Sequence, residues 1–155
     1  MPTTIQWYVR TALLYLLASA VLGVLYQLDL WLGWFGWSRY VVTVHAHLAL
    51  MGGVVQMIMG VALWMFPLTV PLEQRLQFKE GLAWSTYALF NGGLIGRFFV
   101  ESAFRGEGGD LYGALTVLSG VLQVAAMVVF ILHLWSLRLS RRAQERARTH
   151  SGREG

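Results

Sequence analysis

Long apolar stretches separated by short polar connectors set the pattern of this chain. The first stretch, about residues 11–28, is uncharged and close to the ~20 residues that a helix needs to cross a bilayer. It is too long for the apolar core of a signal peptide and no small-residue cleavage site follows it, so it reads as a retained first helix. Residues 29–39 then hold three tryptophans and two glycines, the composition of an interfacial aromatic belt that anchors the chain at the membrane surface. The second stretch, about 40–66, stops at Pro67. A connector whose charges nearly cancel (Glu73, Arg75, Lys79, Glu80) leads to the third, about 78–104. That one is interrupted by Asn91, Arg97 and Glu101 and by Gly92, Gly93 and Gly96. A polar loop, 105–110, precedes the fourth, about 111–139. The pattern predicts four membrane-crossing helices.

Composition supports that class. The chain is 56% apolar and 13% charged, against about 25% charged residues in soluble domains. It has no cysteine, which excludes disulfides, thiolate metal sites and covalently attached haem. Any cofactor must be held by histidine, methionine or oxygen donors. The net charge of +4 comes from the end of the chain, where Arg138, Arg141, Arg142, Arg146, Arg148 and Arg153 outnumber Glu145 and Glu154. Such asymmetry reads as membrane topology, not nucleic-acid binding, and puts this segment in the cytoplasm. Four crossings place the N-terminus there too, in agreement with Arg10. The expected architecture is an all-α membrane protein: a four-transmembrane-helix bundle over 1–139, both termini cytoplasmic, and a basic tail, 140–155, that frays or lies on the membrane surface.

His45 and His47 are the chemical signal. An α-helix turns about 100° per residue, so an H-x-H pair faces nearly opposite sides of its helix. That suits two separate axial metal ligands better than one shared ion, which favours i, i+4 spacing. A neutral imidazole in a dry environment needs a polar partner. The bland alternative is a pair of hydrogen-bonded core histidines. At ~1.5 Å per residue, Arg97 on the third helix lies at the depth of the histidines. Either it pairs with Glu101 four residues on, or it holds a propionate of a haem bound by His45 or His47. Gly52, Gly53 and Gly60, and the Gly92-x-x-x-Gly96 spacing, let flat or bulky groups approach the backbone. By the same rise, His133 lies roughly 20–25 Å deeper, too far to complete a site with His45 or His47, and reads as an interfacial or packing residue. His150, in the tail, carries no information.

The segment Tyr40-Val-Val-Thr-Val-His-Ala-His, followed by Met51-Gly52, Met59-Gly60 and Trp64-Met-Phe-Pro-Leu68, resembles the tenth helix of subunit I of the haem–copper oxidases. The match covers about 30 residues and needs a one-residue shift between His47 and Met51. The resemblance implies that His47 corresponds to the ligand of a low-spin haem and His45 to that of a high-spin haem. It also implies a prokaryotic cytoplasmic membrane. The family's subunit has about twelve crossings in three groups of four, and this chain looks like one such group standing alone. The family's histidine-rich copper site has no counterpart here, so oxygen or nitric oxide reduction is not expected of the polypeptide.

Opposed histidines on one helix leave each site short of a ligand, and a second copy of the chain is the economical source. The sequence therefore leads to a homo-oligomer, a trimer ahead of a dimer, with haem b between subunits. Bis-histidine ligation leaves no open iron position, which makes it an electron-transfer cytochrome with a respiratory redox partner rather than an enzyme. The alternatives are a non-catalytic accessory or assembly subunit of a respiratory oxidase or nitric oxide reductase, and a haem or gas sensor.

Overall fold

The computed structural model describes residues 2–33, 40–68, 80–104 and 109–151. The tryptophan-rich connector's residues 34–39 and the loop 105–108 lie outside them. All regular structure among the described residues is helical: α1 (Thr3–Leu32), α2 (Tyr40–His47), α3 (Gln56–Leu68), α4 (Glu80–Phe104) and α5 (Asp110–Ser151). Between α2 and α3 the chain does not break. Leu48–Val55 winds as a π-helix, so Tyr40 to Leu68 forms one rod with a wider-wound middle.

Boundaries differ from the hydropathy reading at both ends of α1. The helix starts at Thr3 because Ile5, Tyr8 and Ala12 form a buried stripe that must pack, whatever the polarity of their neighbours. It runs past residue 28 to Leu32 and ends where Gly33 takes the left-handed conformation (φ 66°) and donates its N–H to the Asp29 carbonyl at 2.8 Å, a glycine C-terminal cap. Pro67 is included in the last turn of α3. At the other end of the chain, α5 continues as one 42-residue helix to Ser151. The basic tail is therefore helical over most of its length, and α5 is about 63 Å long, roughly twice the ~30 Å hydrocarbon core.

Pairings between rods give the topology. Thr4 meets Glu80, Tyr8 meets Ala83 and Tyr15 meets Asn91, a constant offset along both chains, so α1 and α4 run parallel. Gly60 abuts Tyr8, Gly52 abuts Tyr15 and Gly23 abuts His45, so the α2–α3 rod runs antiparallel to α1. Gly93 abuts Ser119 and Glu101 meets Tyr112, so α5 runs antiparallel to α4. The rods alternate in direction, as short connectors require.

Two apolar clusters hold them. One joins Ile5, Tyr8, Met59, Leu63, Ala83, Phe90 and Ala126 near the N-terminal ends of α1 and α4. The other joins Val44, Leu48 and Leu94 with Tyr15, Leu22, Met51 and Phe98 around it. Outside them, Leu13, Leu14 and Leu17 on α1 and Val117, Val121, Val124 and Leu132 on α5 are exposed. Apolar surface on this scale needs an apolar surrounding. Among the described residues, three helices are long and apolar enough to cross a membrane, Thr3–Leu32, Val41–Met65 and Asp110–Ser136.

Candidate functional site

The two histidines sit on the last turn of α2, about 200° apart around its axis. Val41, Val44 and Leu48 form the buried stripe between them, which leaves each imidazole half-buried on its own flank. His45 turns toward α1. Its Nδ1 lies 2.8 Å from the Ser19 carbonyl and 3.0 Å from Ser19 Oγ, and Ser19 Oγ donates to the His45 carbonyl at 3.1 Å. A carbonyl can only accept, so Nδ1 carries a proton, and in the neutral ring the lone pair is then on Nε2. On the other flank, His47 Nδ1 lies 3.0 Å from the Thr43 carbonyl one turn back in its own helix, with the same consequence. Neither Nε2 is engaged by another group among the described residues. In the neutral form, both side chains present an Nε2 that no other described residue engages, while Nδ1 is held by a backbone carbonyl.

α1 shapes the His45 flank with a small residue. A Cβ added at Gly23 would come within 3.0 Å of His45 Cε1, so the ring lies directly against the helix backbone. Gly23 also lines an open groove of about 510 Å³ along α1, with Ala20, Val24, Gln27, Leu28 and Trp31. That volume is within the ~300–1,000 Å³ range of small-molecule and cofactor sites.

Arg97 shares the histidines' level, because Leu94 and Phe98 beside it pack in the same cluster as Val44 and Leu48. Its Nε pairs with Glu101 Oε1 at 3.1 Å, and Tyr112 on α5 donates to Glu101 Oε2 at 2.9 Å. The i, i+4 ion pair is present, and the terminal nitrogens of the guanidinium have no partner among the described residues. Glu101 is 3% exposed, so its hydrogen bonds matter. Tyr112→Phe is expected to destabilise the fold by about 1–3 kcal/mol, the cost of an unsatisfied buried acceptor. An unfolding midpoint equal to wild type in detergent would show that this bond contributes nothing.

His133 is 1% exposed on α5. Its neighbours in sequence, Ala126, Phe130 and Leu134, pack with Ile5, Tyr8 and Leu63 at the far end of the molecule. It is buried at that level, remote from His45 and His47. The glycines divide as well. Gly52, Gly53 and Gly60 are pressed against Tyr15, Leu16 and Tyr8, whereas a Cβ at Gly92 or Gly96 meets nothing within 4 Å. The close approach on α4 is made by Gly93 instead. No cluster of three or more histidine, cysteine, aspartate or glutamate residues that could hold a metal ion gathers among the described residues.

Ser19, Gly23, Tyr112 and the π segment were not visible as site elements in the sequence. Ser19 and Gly23 are four apart on α1, a spacing of small residues that marks a close helix contact. Gly52-Gly53 is a pair of the kind found at helix distortions. No known protein family, curated protein or solved structure matches the chain.

Proposed function

We propose that the chain is a small b-type cytochrome of the membrane, with haem held between subunits by His45 and His47 and used for electron transfer. The observation that carries this reading is the matched state of the two imidazoles: each donates Nδ1–H to a backbone carbonyl and keeps Nε2 free. Hydrogen-bonded core histidines would have no need to present that nitrogen. The donor set fits a haem, because neutral imidazole nitrogen is its common axial ligand, and a groove along α1 runs past Gly23, the residue against which the His45 ring packs. Arg97, with its terminal nitrogens free of the Glu101 pair, is the residue to hold a propionate.

The one-residue shift in the resemblance to the oxidase helix falls between His47 and Met51, within the π segment Leu48–Val55. A π turn is how a helix absorbs one extra residue, so the shift and the winding support each other. Parallel alignment of α4 with α1 supports a fourth crossing. Both termini then lie on the cytoplasmic side of a prokaryotic inner membrane, as the arginines of the C-terminal segment favour.

When bound, the haem supplies reversible one-electron transfer. The chain's own part is positional. The Ser19 and Thr43 carbonyls hold the Nδ1 protons and fix the ring planes, which raises ligand basicity. Glu101 and Tyr112 hold Arg97. His45 and His47 point apart, so each site takes its second ligand from another copy, and a trimer closes this with one type of interface.

The purified protein is expected to show a sharp α band of the b type on reduction with dithionite, and His47→Ala to lose it with helicity retained. A reduced spectrum without that band, or one unchanged in His47→Ala, would overturn the proposal. Purification with a large oxidase subunit and without haem would favour an accessory role, and carbon monoxide binding would favour a sensor.

A further inference from the structure

α5 does not end where its apolar stretch ends. The membrane-length segment closes at Ser136, and the helix continues to Ser151 for about another 22 Å. The continuation carries Arg138, Arg141, Arg142, Arg146 and Arg148 against the single acid Glu145. At 100° per residue the five arginine positions fall within about 160° of one side of the helix. Glu145 falls among them, and Leu139, Ala143 and Ala147 fall on the other side. Orienting a span takes only a few positive charges near its end. A basic side sustained over about three helical turns is more than topology needs.

Tryptophans mark the level of the lipid headgroups at this end. Trp7, Trp64, Trp84 and Trp135 are exposed, one on each of the four rods. Their neighbours in sequence, Tyr8, Leu63, Ala83 and Leu134, all pack in or against the first apolar cluster. Four outward tryptophans at one height form an aromatic belt. Along α5, Arg138 stands about 5 Å beyond Trp135, Arg141 and Arg142 about 9–11 Å, and Arg146 and Arg148 about 16–20 Å. The headgroup layer is roughly 5–8 Å deep on each side of the core, so the first three positions border lipid phosphates and the last two stand in water. On α1 the exposed Arg10, one turn from Trp7, has no ion pair among the described residues, and its long stem lets the guanidinium reach the same layer. Glu80, an exposed carboxylate at this end, accepts a hydrogen bond from Thr4.

We propose that this end of the molecule is a binding surface for anionic phospholipids, with Arg138, Arg141 and Arg142 on the phosphates beside the tryptophan belt. A guanidinium offers a planar fork of donors that matches a phosphate in bidentate fashion. In a zwitterionic lipid the headgroup's own ammonium offsets the phosphate charge, so a lipid of net negative charge is preferred. Clusters of about four to eight basic residues directly beyond a span have this affinity. The belt also decides between partners. A soluble polyanion would meet all five arginines alike, whereas a bilayer meets the three nearest the tryptophans. The inference needs insertion in a membrane and does not rest on haem binding.

The test places the purified full-length protein in mixed phosphatidylcholine and phosphatidylglycerol vesicles, with a spin-labelled lipid of each type reporting occupancy of the protein surface. Labelled phosphatidylglycerol is expected to be favoured by at least about fivefold, the effect of one arginine near the surface. Salt at 1 M, where the screening length falls to about 3 Å, should weaken that preference. Arg138→Gln, Arg141→Gln and Arg142→Gln combined should bring the ratio close to one, and Arg146→Gln with Arg148→Gln should leave most of it. Equal occupancy by the two lipids in the wild type overturns the proposal. So does a preference that survives the triple substitution in protein of unchanged helix content, or one lost in the double substitution alone. Binding of a DNA oligonucleotide by wild-type protein that shows no lipid preference would assign the basic side to nucleic acid instead. Haem content does not enter the readout, so failure here leaves the cytochrome reading standing.

Discussion

On the proposed haem site, deletion of Leu50 is expected to abolish haem retention while leaving the helix content of the protein nearly unchanged. Leu50 is in the π segment, 61% exposed, so its side chain contributes little to packing and Leu50→Ala serves as a near-neutral control. Its backbone is another matter. The π winding accommodates one residue more than an α-helix between His47 and Gln56. With that residue removed the segment can rewind as α-helix, and α2 must turn by about 100° relative to α3. α3 is keyed to α1 by Gly60 against Tyr8 and by Gln56 against Thr11. The adjustment therefore falls on α2, which carries His45 away from the Ser19 carbonyl and His47 out of its flank. The prediction is checked by haem per protein together with the histidine tautomer signals in ¹⁵N spectra. Wild-type Nδ1–H signals in the deletion variant would show that the π winding does not set the imidazoles.

Gly52→Val should be strongly destabilising. A Cβ at Gly52 would lie 2.7 Å from Cγ of the Tyr15 ring and 2.8 Å from Leu94 Cδ2, so three rods meet at a point with no space for one carbon. The tyrosine cannot swing aside freely, because its hydroxyl is tied to Asn91. Overpacking of this kind costs about 1–3 kcal/mol, and the lost Tyr15–Asn91 bond adds about 0.5–1.5 kcal/mol. The same change at Gly92, which faces open space, should be close to neutral. Unfolding midpoints in detergent compare the two variants, and equal midpoints would show that the rods are not in close contact at Gly52.

Much of the helical layout was legible along the chain, because crossing a bilayer demands long uncharged runs and proline, glycine and charge punctuate them. The errors lie where packing overrides hydropathy. α1 begins eight residues earlier than its uncharged run, since Tyr8 is buried while Arg10 two residues on is exposed. The site was half legible. H-x-H periodicity placed His45 and His47 on opposite flanks, as found, and depth bookkeeping separated His133 from them. Ser19 could not be assigned, because a serine in an apolar run has no preferred partner until the second rod is laid against it.

By itself the sequence determined the all-helical, apolar character of the chain, the opposition of the two histidines and the lack of any cysteine thiolate. These follow from composition and from the 100° step, which need no neighbours. Tertiary structure decided which nitrogen of each imidazole is free, that Gly93 rather than Gly92 or Gly96 carries the α4–α5 contact, that Arg97 is held by both Glu101 and Tyr112, and that the polar residues of α1 find partners on two other rods. Those facts depend on register between helices. Register is set by how glycines and tyrosines fit across an interface, a property of pairs of surfaces that no single helix records.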